Sequence, residues 1–147
     1  MLVEQLLAAT RERLVTIRDD AALIEAARRL HGSDANLVVV CGGDGVMVGV
    51  ITKTDVVGQI SRCHGAGCTA AASAVMTRDV TSCHPHVLLK DVWAVMRKRG
   101  LKHIPVLDKE MRPIGVLDAR QTVQALLEEV GSEEELLRDY VMGVGYR

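Results

Sequence analysis

The chain says nearly the same thing twice. GVITKTD occupies residues 49–55, and GVLDARQ follows sixty-six positions later at residues 115–121. The glycine and the apolar pair survive in the second copy, but Thr52 becomes Asp118 and Asp55 becomes Gln121. An internal repeat constrains the fold strongly, because both copies must build the same unit. A unit of about 45 residues buries too little surface to stand alone, so two of them are expected to share one core.

The residues around each copy extend the repeat. Leu14-Val15-Thr16-Ile17 is short and rich in β-branched residues, which predicts a strand. Asp19 or Asp20 is placed to cap a helix whose Leu23, Ala26, Ala27 and Leu30 fall on one face, with Gly32 as its stop. Asn36 to Cys41 reads as a strand buried on both faces. The turn Gly42-Gly43-Asp44-Gly45 leads into a strand over Val46 to Ile51, and Thr52 opens a helix carrying Val56, Val57 and Ile60. The second half has the same order. Val80-Thr81-Ser82 is the short strand, and Pro85 marks a helix start whose inner face is Leu88, Val92, Val95 and Met96, ending at Gly100. His103 to Leu107 and Pro113 to Leu117 form a hairpin around the polar turn Asp108 to Arg112. Asp118 caps a helix with Val123, Leu126 and Leu127. The unit is strand–helix–strand–strand–helix, twice, an α/β (α+β) arrangement packed with a pseudo-twofold into one compact module. The boundaries expected are an N-terminal helix at 1–13, repeats at 14–62 and 80–129, a small-residue linker at 63–79 with a short helix over Ala72 to Met76, and a C-terminal helix and tail at 130–147. In the tail, Ser132 and Glu135 form a capping box ahead of Leu136, Leu137, Tyr140 and Val141.

Composition narrows the function. Among 147 residues only 2% are aromatic and none is Phe, so the core is aliphatic and aromatic platforms for base stacking are missing. A net charge of −1, without a long basic run, speaks against a polyanion partner. No apolar run approaches the ~18–20 residues that cross a bilayer, and the first residues do not read as a signal peptide. No nucleic-acid or membrane partner is therefore expected. Four unevenly placed cysteines do not suit a disulfide scaffold, so the expected compartment is the cytoplasm.

Catalytic patterns are missing too: no elbow serine, no G-x-x-x-x-G-K-S/T loop, no carboxylate pair with a task. No enzymatic activity is expected. Cys63, His64, Cys68, Cys83, His84 and His86 fall close together, and Cys63, Cys68, Cys83 and His86 are the candidates for a Zn²⁺ site. Their spacing matches no common C-x2-C pattern, and adjacent Cys-His pairs do not easily reach one tetrahedral ion, so no metal is expected. A metal- or redox-responsive sensor built on residues 63–86 is an alternative reading. Trp93, Met47 and Met96 read as packing residues. Taken alone, Thr52-x-x-Asp55 is a variant of the helix capping box.

The doubled unit, the strand LVVVC (residues 37–41), the strand IPVLD (residues 104–108) and Gly-Val-Ile-Thr-x-x-Asp together resemble a tandem pair of cystathionine-β-synthase (CBS) domains, a Bateman module. The resemblance covers roughly residues 10 to 129. It implies a regulatory or sensor module that binds AMP, ADP or ATP, or a related adenosyl ligand, in a cleft between the repeats. It implies no required cofactor, a homodimer, and a regulated partner protein. Carried over residue by residue, Asp55 would accept hydrogen bonds from both ribose hydroxyls and Thr52 would donate to phosphate. Val80 and Thr81 would flank the base, while Lys102, His103 and Arg120 would contact phosphate. The mirror-image cleft would have Gln121, Ala35 and Asn36 instead, with Asp118 repelling phosphate, which leaves one competent site. The competing class is a scaffold or oligomerisation protein with vestigial clefts.

Overall fold

A computed structural model of the protein describes residues 1–62 and 70–131. A 3-10 turn, Val3–Leu6, runs into α1 (Leu7–Glu12), followed by β1 (Thr16–Arg18), α2 (Leu23–His31), β2 (Leu37–Cys41), β3 (Met47–Thr52) and α3 (Lys53–Ser61). The second half contains α4 (Ala72–Val75), α5 (Leu89–Arg99), β4 (His103–Leu107), β5 (Pro113–Asp118) and a last helix, α6, over 119–131. None of the described helices is long and apolar enough to cross a membrane. The expected C-terminal helix from Ser132, and Cys63, His64 and Cys68, lie outside the described residues.

The two hairpins are superposable in register. Leu37 faces Thr52 and Val39 faces Val50 in the first; His103 faces Asp118 and Pro105 faces Val116 in the second. Even the irregularity recurs, between Val40 and Cys41 and again between Val106 and Leu107. The copies part at the short strand. β1 pairs parallel to β2, giving a three-stranded sheet, whereas the strand expected at Val80 to Ser82 is replaced by a single parallel bridge between Cys83 and Val106. The cause is a missing N–H at each end of the ladder. The Val39 N–H donates to the Val15 carbonyl at 2.8 Å, and its counterpart Pro105 has no N–H to give Thr81. The Asp19 N–H donates to the Cys41 carbonyl at 2.9 Å, and its counterpart Pro85 has none to give Leu107.

Helix starts also depart from expectation. Neither Asp19 nor Asp20 caps α2; its N-cap is Ala22, without a side-chain bond. The Leu23 N–H instead donates to the Ala70 carbonyl at 2.8 Å, and in the second repeat the Leu89 N–H donates to the Met1 carbonyl at 2.8 Å. Backbone from a neighbouring segment thus takes over the capping role. α5 begins at Leu89 rather than beside Pro85, whose carbonyl accepts the Glu4 N–H at 2.9 Å. It ends on Gly100 at φ +66°, a left-handed stop that suits glycine.

Among the described residues, three apolar clusters hold the body together. One belongs to the first repeat and includes Leu23, Leu30, Val38, Ile51, Ala72 and Met76. A second belongs to the second repeat and includes Val3, Leu89, Met96, Ile104 and Leu117, with Trp93 packed against it. The third joins the repeats through Leu37, Val39, Val50 and Val116, with Met47 and Val80 alongside. The buried stripe of α5 is Leu89, Val92 and Met96; Leu88 and Val95, expected inside, are exposed because the helix is rotated toward Leu89. Val57, Ile60 and Leu127 are likewise exposed, while Val56, Thr122 and Ala125 turn inward.

The glycines of the repeated motif have one job in common. Residues 70–77 cross the first repeat, and a Cβ on Gly49 would stand 2.7 Å from both Met76 Sδ and the Thr77 carbonyl. The N-terminal segment crosses the second, and a Cβ on Gly115 would overlap the hydroxyl of Thr10. Close approach of another segment, at both places, requires a residue without a side chain.

Candidate ligand cleft between the repeats

A cleft of about 580 Å³ opens at the Leu37–Thr52 end of the first hairpin and is closed by the second repeat. Of the residues expected to form a site, Thr52, Asp55, Val80, Thr81, Lys102 and His103 line it. Arg120 does not: it is exposed on the first turn of α6, whose buried side carries Thr122 and Ala125.

Thr52 and Asp55 hold each other. The Thr52 N–H donates to Asp55 Oδ2 at 2.9 Å, and the Asp55 N–H donates to Thr52 Oγ1 at 3.2 Å. This reciprocal capping box starts the nine-residue α3 at the cleft wall. A carboxylate offers about four acceptor positions, so one bond to Thr52 orients Asp55 without saturating it. Thr81 is also engaged, its Oγ1 accepting from Arg99 Nη1 at 2.8 Å.

The residues that sequence reasoning missed are those whose position depends on the closure of the two halves. Lys53 and Thr54, on the first turn of α3, line the cleft, as do Thr77, Asp79 and the helix stop at Gly100. Lys53 was findable, since it directly follows the Thr52 cap. Asn36, expected on the mirror side, lines this cleft instead.

Charge in the cleft is balanced rather than strongly basic: Lys53 and Lys102 face Asp55 and Asp79. Burial lowers the pKa of His103; the nearby Asp118 pulls it back up, while Arg13 and Lys102 push it further down. His103 is therefore a neutral hydrogen-bonding group near pH 7, not a third cation.

The mirror-image cleft is smaller, about 220 Å³, and is lined by Ala9, Glu12, Arg13, Asp34, Ala35 and Gln121. Helix α1 forms part of its wall. Gln121 Oε1 is buried there without a hydrogen-bond partner among the described residues. Asp118 does not line this space; its Oδ2 lies between Arg13 and His103, and its Oδ1 accepts the Gln121 N–H at 3.2 Å.

Of the candidate metal ligands, Cys83 belongs to the core of the second repeat, where burial pushes its thiol up to about 12. A protonated interior thiol is a poor metal ligand. His86 lies 3.7 Å from Glu4. Among the described residues no group of three or more His, Cys, Asp or Glu side chains is gathered for a metal.

Two equivalent halves, each crossed by a short segment and joined over an open cleft, define a tandem-repeat module. The chain belongs to the CBS-domain family, whose model matches residues 3–62 and 72–128 as two successive domains. Among solved structures, a CBS-domain containing protein from Agrobacterium tumefaciens is 28% identical, with a TM-score of 0.73 over 85% of this chain and 98% of that one. The CBS domain pair of protein MJ0100, in complex with 5′-methylthioadenosine and S-adenosyl-L-methionine, is 22% identical with a TM-score of 0.72 over 88% and 97%. CBSX2 in complex with AMP is 18% identical with a TM-score of 0.73 over 86% and 96%. A curated relative, homoserine O-acetyltransferase of Methanococcoides burtonii, is 28% identical over 74% of this chain, which spans only 21% of that protein. CBS pairs are regulatory modules, and the family assignment places this chain among them.

Proposed function

We propose that this chain is a non-enzymatic regulatory module that binds an adenine nucleotide, AMP, ADP or ATP, in the cleft between its repeats. The observation that carries the reading is the convergence of Thr52, Asp55, Val80, Thr81, Lys102 and His103 from both repeats around about 580 Å³, a volume suited to a small ligand. Asp55, oriented by its bond from Thr52, accepts from the two ribose hydroxyls in this reading. Leu37, Val50 and Val80 supply apolar walls for the base. The Thr81 carbonyl, which Pro105 leaves without the strand partner that Val15 enjoys, can accept from an exocyclic amine. Lys53, Lys102 and the start of α3 favour a phosphate. Arg120 has no part in this arrangement. The adenosyl ligands of MJ0100 and CBSX2 support the ligand class.

The same proposal includes a homodimer and a regulated partner protein. Val57 and Ile60 of α3, with Leu127 and Val130 of α6, are each more than half exposed, an apolar surface that a second copy would cover. Sedimentation of the protein as a monomer at micromolar concentration would remove that part.

The test is a thermal-shift panel with AMP, ADP, ATP, NAD and S-adenosylmethionine. Ligand at 100 times its Kd stabilises by ~2.7 kcal/mol, a shift of several degrees. Asp55→Ala is expected to abolish the shift and Gln121→Ala to leave it. Equal responses of the two variants would overturn the one-cleft assignment, and no response to any adenosyl ligand would favour a scaffold.

A further inference from the structure

A second cavity, about 590 Å³, lies at the other end of the β2–β3 ladder, where Cys41 faces Met47. Arg18 from the end of β1, Arg29 from α2 and Arg112 from the β4–β5 turn all line it, together with Thr16 and the glycine-rich turn after β2. No carboxylate residue is among its described lining residues. Its charge balance differs from that of the two clefts between the repeats. In those, Lys53 and Lys102 are opposed by Asp55 and Asp79, and Arg13 by Glu12 and Asp34.

Each guanidinium has a partner that leaves it available. Arg18 Nε is 3.3 Å from Asp20 Oδ1, with both side chains more than two-thirds exposed. Arg29 Nε is 3.5 Å from Glu25 Oε1, again an exposed pair, which the neighbouring Arg28 shares. Exposed pairs of this kind contribute little net stability, so a better-placed anion can displace them. Arg112 Nε donates to the Asp44 carbonyl at 3.2 Å, which fixes the guanidinium and leaves its terminal amino groups. The Asp44 carboxylate, the nearest acid on the turn, is turned back to accept the Val46 N–H at 3.1 Å. The turn itself leaves room, since a Cβ on Gly43 would meet nothing within 4 Å.

We propose that this three-arginine cavity binds a small multivalent oxyanion of the diphosphate class, at a site separate from the nucleotide cleft. Planar guanidinium forks pair bidentately with phosphate oxygens, and three of them around one space match two phosphate groups better than one. Arg18 and Arg29 belong to the first repeat and Arg112 to the second, so an anion held by all three ties the repeats together at the end remote from the cleft.

Calorimetric titration of the full chain with inorganic pyrophosphate, without magnesium and at ionic strength held constant with sodium chloride, tests this. One saturable site per chain is expected. Arg18→Gln, Arg29→Gln and Arg112→Gln are each expected to weaken it at least tenfold, while Asp55→Ala and Lys102→Gln leave it unchanged. Arg29→Gln alters only an exposed helix side chain, so it reads binding even if Arg112→Gln disturbs the turn. Unchanged affinity in Arg18→Gln and Arg29→Gln, loss in Lys102→Gln, or no saturable heat would each overturn the proposal.

Discussion

His103 Nε2 stands 3.5 Å from Asp118 Oδ2, across the pair of residues that opens β4 and closes β5. The same oxygen lies 3.6 Å from Arg13 Nη1. One carboxylate thus touches a side chain of the ligand cleft and a side chain of the mirror cleft. In the first repeat the corresponding pair is Leu37 and Thr52. The repeat conserved the backbone ladder here and changed the chemistry hung on it.

A pH dependence follows. Burial sets the folded pKa of His103 below its ordinary 6.5, so the unfolded chain takes up this proton first as pH falls. The contribution of the neutral histidine is present above the unfolded value and is lost as pH drops below it. Urea denaturation between about pH 7.5 and 5.5 is expected to show the stability advantage of the wild type over His103→Gln shrinking toward acid. Parallel curves for the two proteins would contradict it.

Capping and ligand binding at Asp55 are separable. Asparagine retains an oxygen that can accept the Thr52 N–H, so Asp55→Asn is expected to melt near the wild type. It lacks the charge, however, and hydrogen bonds to a charged group contribute about 1.5–3 kcal/mol, so AMP affinity should fall roughly ten- to hundredfold. Asp55→Ala should lose both properties, the lost bond from the Thr52 N–H costing about 0.5–1.5 kcal/mol. Melts and titrations on the two variants decide the matter.

Gly49→Ala is expected to destabilise the protein by about 1–3 kcal/mol through overpacking, since the added carbon meets Met76 and the rigid carbonyl of Thr77. Gly43→Ala, with nothing near its added carbon, is expected to be neutral or slightly stabilising. Chemical denaturation of both variants provides the comparison.

Pro105→Val would return one of the two N–H groups whose absence shortens the second sheet, the other being lost at Pro85. Hydrogen exchange should then show a protected amide at position 105, bonded to the Thr81 carbonyl. The new bond is worth about 0.5–1.5 kcal/mol and the lost proline rigidity about 0.4–1 kcal/mol, so overall stability should scarcely change. Nucleotide affinity should weaken, because the carbonyl would no longer be free for the base. An unprotected amide would show that more than the proline keeps the strand apart.

The hairpins and their spacing were legible in sequence because β-branched runs, glycine turns and paired motifs are local signals. The strand at Val80 to Ser82 was misread because its fate is decided by Pro105, more than twenty residues away, together with Pro85, which reads locally as a helix start. Asp19 and Asp20 were plausible caps until the Ala70 carbonyl, from outside the repeat, took the Leu23 N–H. The inner face of α5 was ambiguous by about 100°, one residue's rotation, since Leu88 and Leu89 are chemically alike and only packing selects one. Within the cleft, side chains at strand ends and helix starts were readable because their elements were. Asp79 was not, because its charge faces the cleft only through the way the halves close.

The two crossing segments carry a consequence for how the chain can be divided. The first 62 residues contain the stretch that covers the second repeat, and residues 70–77 cover the first. A cut between residues 62 and 70 therefore leaves each fragment holding the piece that its partner needs. Neither fragment is expected to fold alone, yet mixed together they should reconstitute a paired, ligand-competent body. The repeating unit of the sequence and the cooperative unit of folding are thus different objects, and only the second has a cleft.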